Sequence, residues 1–217
     1  MLEALSAAAV KVVLPTPDGK RFLITADNSF ATDLVSGKAN TALVGVSKLS
    51  INGNSVMSNP SNGYLTFAYA PNYTPFRRGA KIDVMIYLSA SDVFTNAVYP
   101  CLLGYAQPSG TLNYWSFGII GADGARKIAF YGWNGTSNLF QSTQVITKKG
   151  WVKLTFELTN SLVLSVDGVE YFRKAISDAE LQGFINNQNP STTVPLTFYR
   201  INSTTVSSTK VSYISIE

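Results

Sequence analysis

The sequence predicts an all-β protein that folds as an antiparallel sandwich of two sheets. Short runs of residues alternate between apolar and polar side chains, which is the pattern of a strand with one buried face. Turn signals such as Asn-Gly and Asp-Gly stand between nearly all of these runs. Hydrophobic residues make up 46% of the 217 residues and charged residues only 14%. No helical segment of the kind that joins parallel strands separates the runs.

The clearest alternation lies in residues 150–172, where the pattern predicts a three-stranded meander. The inward face of its first strand is apolar and comprises Val152, Leu154, Phe156 and Leu158. The opposite face is mostly polar and comprises Trp151, Lys153, Thr155 and Glu157. Asn-Ser and Asp-Gly turns then separate the second strand, 162–166, from its neighbours.

Residues 1–47 differ from the rest of the chain. The apolar runs 10–14 and 21–25 flank Pro17-Asp18-Gly19, and this turn signal predicts a β-hairpin. The region is too small for a core of its own, so we expect it to pack on the sandwich or to dock onto another chain as an arm. The residues that would make the docking contacts are Val10, Val12, Leu14, Phe22 and Ile24.

Residues 48–217 are predicted to form the sandwich domain. Its strands are predicted near residues 47–51, 64–69, 80–89, 97–107, 114–121, 126–133, 139–146, 194–201 and 210–216, in addition to the meander. One short helix interrupts the pattern. Ser177 and Glu180 have the spacing of a capping box, and Leu181 and Phe184 are placed to pack inward before Gly183 and the Asn-rich residues 185–190 end the helix.

The composition excludes several classes of function. The chain has no histidine and one cysteine, which removes His-dependent catalytic triads, the usual zinc sites and an intrachain disulfide. We therefore expect no catalytic residues, no metal and no cofactor. The net charge is +4, but the basic residues are scattered, so nucleic-acid binding is not expected. No run is long enough to span a membrane, and the first ten residues lack the basic region of a signal peptide.

Aromatic residues provide the candidate binding site. Trp133, Tyr131 and Asn134 come at the end of one predicted strand, and Asn113 and Tyr114 begin a neighbouring one. Sugars present flat C–H faces to aromatic rings and hydroxyls to amides, so these five residues would form a carbohydrate-binding platform. The alternative is that such rings fill the core. We favour the core for Trp115 and Phe117, whereas both interpretations stay open for Trp133, which abuts an Asn-Gly turn.

The run from Trp151 to Gly168, with its alternation and its closing Val166-Asp167-Gly168, resembles the core of concanavalin A-like, laminin-G-like jelly-roll domains. The resemblance covers about residues 48–217. It implies a jelly roll of two curved sheets whose concave face or edge loops bind carbohydrate in many members. The sequence departs from the family's glycosidases, which carry a strand with two glutamates around an aspartate. Here Asp83 is the only acid in its strand, and Glu157 faces outward alone. The sequence also lacks the calcium-binding loop of some family members, since Asp123 and Asp167 are explained by their turns.

Such domains occur in lectins, in glycosidases and in the fibres and decorations of bacteriophage particles. The leading hypothesis is a non-enzymatic bacteriophage virion structural protein, a head or tail fibre or a capsid decoration. Residues 1–47 would then bind other virion subunits in an oligomer or large assembly, and the outward domain would bind host-surface glycans. The chain would be made in the host cytoplasm and be located on the virion surface. The alternatives are a free-standing carbohydrate-binding module or lectin and, last, a glycoside hydrolase.

Overall fold

A computed structural model of the chain describes residues 10–59, 63–68, 70–92, 94, 100, 102–106, 113–187, 194–199 and 209–217. Fifteen strands and one α-helix lie in these ranges. In chain order the strands are β1 Phe22–Thr25, β2 Ala42–Val44, β3 Ser47–Ile51, β4 Asn54–Ser58, β5 Tyr64–Phe67, β6 Ala80–Leu88, β7 Leu103–Ala106, β8 Asn113–Ile120, β9 Lys127–Trp133, β10 Ser137–Gln141, β11 Gly150–Leu158, β12 Ser161–Val166, β13 Val169–Ala175, β14 Leu196–Phe198 and β15 Lys210–Ile216. The helix α1 is Asp178–Asn187, and a 3₁₀ turn covers Pro71–Tyr73.

The strands form two antiparallel sheets. The eight-stranded sheet has the order β13-β12-β11-β6-β15-β4-β3, with β1 also paired to β15. The seven-stranded sheet has the order β10-β9-β8-β7-β14-β5-β2. The prediction of an all-β, antiparallel two-sheet sandwich of jelly-roll type with one short helix is confirmed.

The core lies between the two sheets, and the alternation predicted its inner face correctly. Ile82, Val84, Ile86 and Leu88 of β6 are fully buried in it, as are Val152, Leu154 and Phe156 of β11. From the other sheet, Trp115 and Phe117 are also core residues, as favoured above. The rings of Phe130 and Phe156 stack across the two layers with their centroids 4.5 Å apart. Packing between the layers therefore provides the main stabilisation.

The central meander has the predicted pairing. Phe156 of β11 lies opposite Leu164 of β12, and Asp167 and Gly168 form the next turn with φ angles of 50° and 81°. Positive φ at both turn positions matches the twist of the flanking strands, which explains the Asp-Gly pair. The third strand extends beyond the predicted Phe172 to Ala175.

The predicted N-terminal hairpin is wrong. β1 pairs with the last strand, β15, where Phe22 lies opposite Ile216, and residues 10–14 form no strand. Phe22 and Ile24 are fully buried in the core and are therefore not available as docking contacts in this structure. An alternating pattern identifies a strand but not its partner, and here the nearest run in the sequence was not the partner.

Residues beyond β1 also belong to the sandwich. Asp33 is fully buried, and its carboxylate accepts hydrogen bonds from the backbone N–H of Leu23 at 3.0 Å and from the hydroxyl of Tyr73 at 3.0 Å. β2 pairs with β5 in the other sheet. Since this region contributes a strand to each sheet, the division of the chain at residue 47 does not separate an arm from the domain.

Other local predictions need smaller corrections. The strand β4 was missed, and the strand predicted at 139–146 is Ser137–Gln141. The helix continues through Gly183 to Asn187, because Leu181 and Phe184 anchor it to the core. The predicted strands at 97–107 and 194–201 extend in part outside the described residues. In the part of the chain that the structure describes, no helix is long and apolar enough to cross a membrane.

Candidate functional site

The predicted aromatic platform lies on the seven-stranded sheet, and its centre is closed. Tyr131 points to the outer face of β9 but is only 2% exposed, and its hydroxyl lies 3.2 Å from Oγ of Ser137. Ser116 and Thr197, which face outward on neighbouring strands, are completely buried. A ring in this position has no accessible face for a sugar. Trp133, at the end of β9, is half-buried.

The structure separates Tyr114 from Tyr131. β7 and β8 shift register between Tyr105 and Ala106, so Ala106 pairs with Asn113, Tyr105 pairs with Trp115, and Tyr114 is the extra residue of a bulge. The Tyr114 ring stacks on that of Tyr105 at a centroid distance of 5.0 Å and packs against the core. The bulge breaks the strict alternation from which the platform was predicted. The side chain of Asn113 lies outside the described residues.

Asn134 organises the turn after β9. Its side-chain oxygen accepts hydrogen bonds from Thr136 N–H at 3.3 Å, from the Thr136 hydroxyl at 3.0 Å and from the Asn138 amide at 2.8 Å. This Asx-type arrangement is what an asparagine before a glycine commonly provides. Of the four predicted residues whose side chains the structure describes, Trp133 and Asn134 alone lie together at an accessible position. The carbohydrate-binding role of the five residues stays a prediction.

A polar groove lies on the outer face of the eight-stranded sheet. It has a volume of about 360 Å³ and is lined by Lys81, Lys153, Thr155, Glu157, Ser165, Asp167 and Gly168. Three neighbouring strands, β6, β11 and β12, and the turn after β12 supply these residues. On β11 the period-two pattern predicted that Lys153, Thr155 and Glu157 face away from the core. We call this surface the polar groove.

Strand register aligns four polar side chains across the outer face of the sheet, and two of them, Thr155 and Ser165, line the polar groove. Asp83 lies opposite Thr155 of β11 and opposite Ser215 of β15, and Thr155 lies opposite Ser165 of β12. Cross-strand neighbours on one face are close enough to interact directly. The hydroxyl of Thr155 donates a hydrogen bond of 2.7 Å to Asp83 Oδ1, although the two residues are 72 positions apart in the chain.

Asp83 lies next to the polar groove and contacts three of its lining residues, Lys81, Lys153 and Thr155. Its carboxylate is nearly buried, and its Oδ2 lies 2.9 Å from Nζ of Lys153 and 3.7 Å from Nζ of Lys81. A buried charge of this kind needs partners, and two ammonium groups supply them. On the side of β15, burial and then the negative charge of Asp83 raise the pKa of Tyr213 to about 12. Tyr213 therefore stays a neutral neighbour of the carboxylate.

Two further carboxylates complete the polar groove. Glu157 Oε1 lies 3.7 Å from Nζ of Lys81, so one lysine lies between Asp83 and Glu157. The sequence had indicated that Glu157 faces outward alone. The structure corrects this, because Glu157 pairs with Lys81. Asp167 accepts the backbone N–H of Lys153 at 2.8 Å and pairs with Lys148 Nζ at 2.6 Å. Positive and negative groups alternate along the polar groove and provide donors and acceptors at fixed spacing.

An aromatic pair lies on the same face beyond Lys153. Trp151 is opposite Tyr87 in the strand register, and their rings meet edge to face with centroids 5.4 Å apart. Trp151 is two residues from Lys153 on β11, a step of about 6.6 Å in a strand. The contact gives Trp151 a packing role, since only 9% of the residue is exposed. Tyr87 is half-buried.

The polar groove was not predicted as a site, although a signal for it existed. The outward positions of the two best-defined strands, β6 and β11, read Lys81, Asp83 and Lys153, Thr155, Glu157. Charged residues of both signs at consecutive outward positions indicate a paired polar face once the two strands are known to be neighbours. Among the described residues, no group of three or more Cys, Asp or Glu side chains is placed to hold a metal ion.

No family model and no curated protein matches the sequence. Solved structures do resemble the fold. The binding domain of Paraclostridial Mosquitocidal Protein 1 is similar over 92% of this chain and 49% of the toxin chain, with 11% identity and a TM-score of 0.62. A structure of botulinum neurotoxin type C, whose cell entry depends on interaction with two ganglioside molecules, matches 92% of this chain and 48% of its own, with 15% identity and a TM-score of 0.61.

A third similar structure has the size of this chain. Domain 4 of the extracellular arabinanase AbnA from Geobacillus stearothermophilus, in complex with arabinotriose, matches 90% of both chains with 12% identity and a TM-score of 0.54. By contrast, this chain spans about half the length of the toxin chains it matches. At identities of 11–15% the likeness concerns the fold alone, which these three structures share with the chain.

Proposed function

We propose that this protein is a non-catalytic glycan-binding domain and that the polar groove is its binding site. The observation that carries the proposal is the environment of Asp83, a nearly buried carboxylate on an outward sheet face with Lys153, Lys81 and Thr155 around it. An ion pair between a nearly buried carboxylate and partly exposed lysines contributes little net stability, so stability alone does not explain its presence. A ligand with hydroxyl groups does explain it.

The polar groove suits a saccharide in size and chemistry. Its volume of about 360 Å³ falls in the range of small-ligand sites. A sugar hydroxyl both donates and accepts, so it can donate to Glu157 or Asp167, which line the polar groove, and accept from Lys81 or Lys153, which Asp83 holds in place. Because the lysines already neutralise the acids, the site favours a neutral sugar over a strongly charged one.

The similar structures support the same ligand class. One is a domain bound to arabinotriose, and another belongs to a toxin that interacts with gangliosides. These ligands are properties of those proteins, and they motivate the choice of probes for this one. The similar structure of Paraclostridial Mosquitocidal Protein 1 is a binding domain, which agrees with the proposal of a non-enzymatic role.

The test is glycan-array binding followed by titration calorimetry with the best sugar. Asp83→Asn keeps the shape of the side chain but removes its charge, and we expect it to weaken binding at least tenfold. Asp18→Asn is the matched control, because Asp18 is an exposed carboxylate outside the polar groove. Equal binding by Asp83→Asn and the unmodified protein would place the sugar site elsewhere, and no binding by the unmodified protein would refute the proposed function.

The same array tests the aromatic alternative. If Trp133 stacks on a sugar, Trp133→Ala will abolish binding while Asp83→Asn leaves it unchanged. We expect the opposite result, because Tyr131 is buried and Tyr114 stacks on Tyr105, so neither ring extends a platform around Trp133. The two variants therefore separate the two candidate sites on this protein.

We also propose the narrower role of a bacteriophage virion structural protein, located on the particle surface, with the glycan-binding domain turned outward. The supporting feature is the exposed N-terminal segment, in which Val10 and Val13 are 62% and 82% exposed. A free-standing lectin would share the polar groove but would not need such a segment. The test is the cell fraction that contains the chain: co-sedimentation with particles supports the virion role, and recovery as free protein supports the free-standing lectin.

A further inference from the structure

The N-terminal segment, residues 10–14, belongs to no strand and is held by the side chain of Asn54. The amide of Asn54 accepts a hydrogen bond from Val12 N–H and donates one to Val10 C=O, each at 2.8 Å. Asn54 itself is buried. Its amide therefore mimics a neighbouring strand for one edge of the segment.

The other edge of the segment is open. In an extended chain, consecutive residues direct their backbone N–H and C=O groups to opposite edges. With Val10 and Val12 bonded to Asn54, the backbone groups of Lys11 and Val13 point away from it. Within the described ranges these groups have no hydrogen-bond partner.

Among the described strands, β3 is the outermost one of the eight-stranded sheet and pairs with β4 alone, so its other edge has no strand partner there. β3 and β4 are joined by the two-residue turn Asn52-Gly53, so Ile51 and Asn54 form a hydrogen-bonded pair and the backbone groups of Lys48 and Ser50 point outward. Four of the five β3 residues are exposed, including Leu49 at 47%. The Lys48 ammonium folds back onto the carbonyl of Asp27 at 2.9 Å and leaves the backbone edge uncovered.

The segment does not lie at the open edge of its own β3. Residues 11–14 line one groove together with Asn54 and Ser55 of β4 and Ser212 of β15. β4 lies between β15 and β3 in the sheet. Asn54 therefore holds the segment next to β4 and β15, away from the open edge of β3. The open edge of the segment and the open edge of β3 therefore do not pair with each other within one molecule.

We propose that the open edge of β3 binds residues 10–14 of a second copy of this chain in an antiparallel strand pair. With Lys11 opposite Ser50 and Val13 opposite Lys48, the outward backbone groups of both elements meet as hydrogen-bonded pairs. The same register places Val12 opposite Leu49, which covers an exposed leucine with an apolar side chain. Lys11 and Lys48 do not face each other.

A second copy is the occupant because each chain carries both halves of the contact. Two copies related by a two-fold axis donate a segment to each other, and both open edges are covered in a closed dimer. The Asn54 bonds are kept, since they use the opposite edge of the segment. Residues Val10, Val12 and Leu14, predicted as assembly residues, then act in self-association, and Phe22 and Ile24 do not.

The test is a disulfide trap in the full chain. Lys11→Cys and Ser50→Cys are combined in one variant, because both side chains are exposed and opposite residues of a strand pair meet disulfide geometry. We expect a covalent dimer on mild oxidation and little dimer from either single variant, which also controls for the native cysteine. A crosslink within one chain, or no more dimer than in the single variants, would overturn the proposal.

A second measurement uses molar mass in solution by light scattering. We expect the unmodified protein to be a dimer and Ser50→Pro to weaken dimerisation at least tenfold, because proline removes the outward N–H donor while an edge position tolerates it. Ser50→Thr keeps the donor and is the matched control. A monomeric unmodified protein at high concentration would refute the dimer, and the disulfide trap decides the case if Ser50→Pro fails to fold.

Discussion

The outer faces of the two sheets follow the same strand pattern but differ in what they leave accessible. On the seven-stranded sheet the outward residues Tyr131, Ser116 and Thr197 are buried. On the eight-stranded sheet the outward residues Lys81, Lys153 and Glu157 line an open polar groove. Alternation therefore predicts which side chains point away from the core, but it does not predict whether solvent or a ligand can reach them.

The largest expected effect tests the closed face. Tyr131→Ala should lower the free energy of unfolding by about 3–5 kcal/mol, as removal of a buried ring does. Denaturant unfolding measures this loss, and Phe156→Ala, on the inner face of β11, serves as the reference for a core ring. If Tyr131→Ala cost less than about 1 kcal/mol, Tyr131 would be a surface ring and the two outer faces would be alike.

Gly132→Ala sharpens the same comparison at the neighbouring residue. A Cβ at position 132 would lie 2.8 Å from Cε1 of Phe184 and 3.3 Å from Cζ of Phe76, so the rings between β9 and α1 must move. We expect a loss of about 1–3 kcal/mol, the usual cost of overpacking. Gly168→Ala is not a suitable control because of its positive φ. Thermal unfolding without a shift would contradict the packing of α1 against β9.

The cap of α1 should have a moderate effect. The hydroxyl of Ser177 accepts the N–H of Glu180 at 3.2 Å, and Glu180 accepts the N–H of Ser177 at 2.9 Å, which is the predicted capping box. Ser177→Ala should cost about 1 kcal/mol, whereas Ser177→Asp should retain most of the stability. Since α1 packs beside the turn that carries Asn134, a shift in Trp133 fluorescence with the same midpoint would show that the helix supports this end of the closed sheet.

The smallest effect is a dependence on pH. Hydrogen bonds from Lys174 and from the backbone of Ser177 lower the pKa of Glu180 to about 2. A lowered pKa means that its stabilisation is present above the unfolded-state pKa of about 4.5 and is lost as the pH falls toward 2. At neutral pH the free energies of unfolding of the unmodified protein and of Glu180→Gln should differ by less than about 1 kcal/mol, because the ion pair is exposed. This difference should shrink as the pH falls through the range. A constant difference would mean that the Glu180 charge does not act through α1.

Local features of the sequence predicted a large part of the fold. The inner faces of β6 and β11, the Asp167-Gly168 turn and the capping box of α1 follow from residues that are close together in the chain. Each depends on strand periodicity, on a turn conformation or on one helix end, and these are properties of a short peptide. For this reason they could be predicted without knowing which strands are neighbours.

Tertiary structure alone decided the rest. The pairing of β1 with β15, the bulge that turns Tyr114 onto Tyr105 and the bridging of Asp83 and Glu157 by Lys81 all join residues that are distant in the sequence or depend on a shift in register. The sequence by itself determined which residues of β6 and β11 face the core. It did not determine the partner of each strand or the cover over each outer face, because both depend on competing long-range contacts whose energies no local pattern contains.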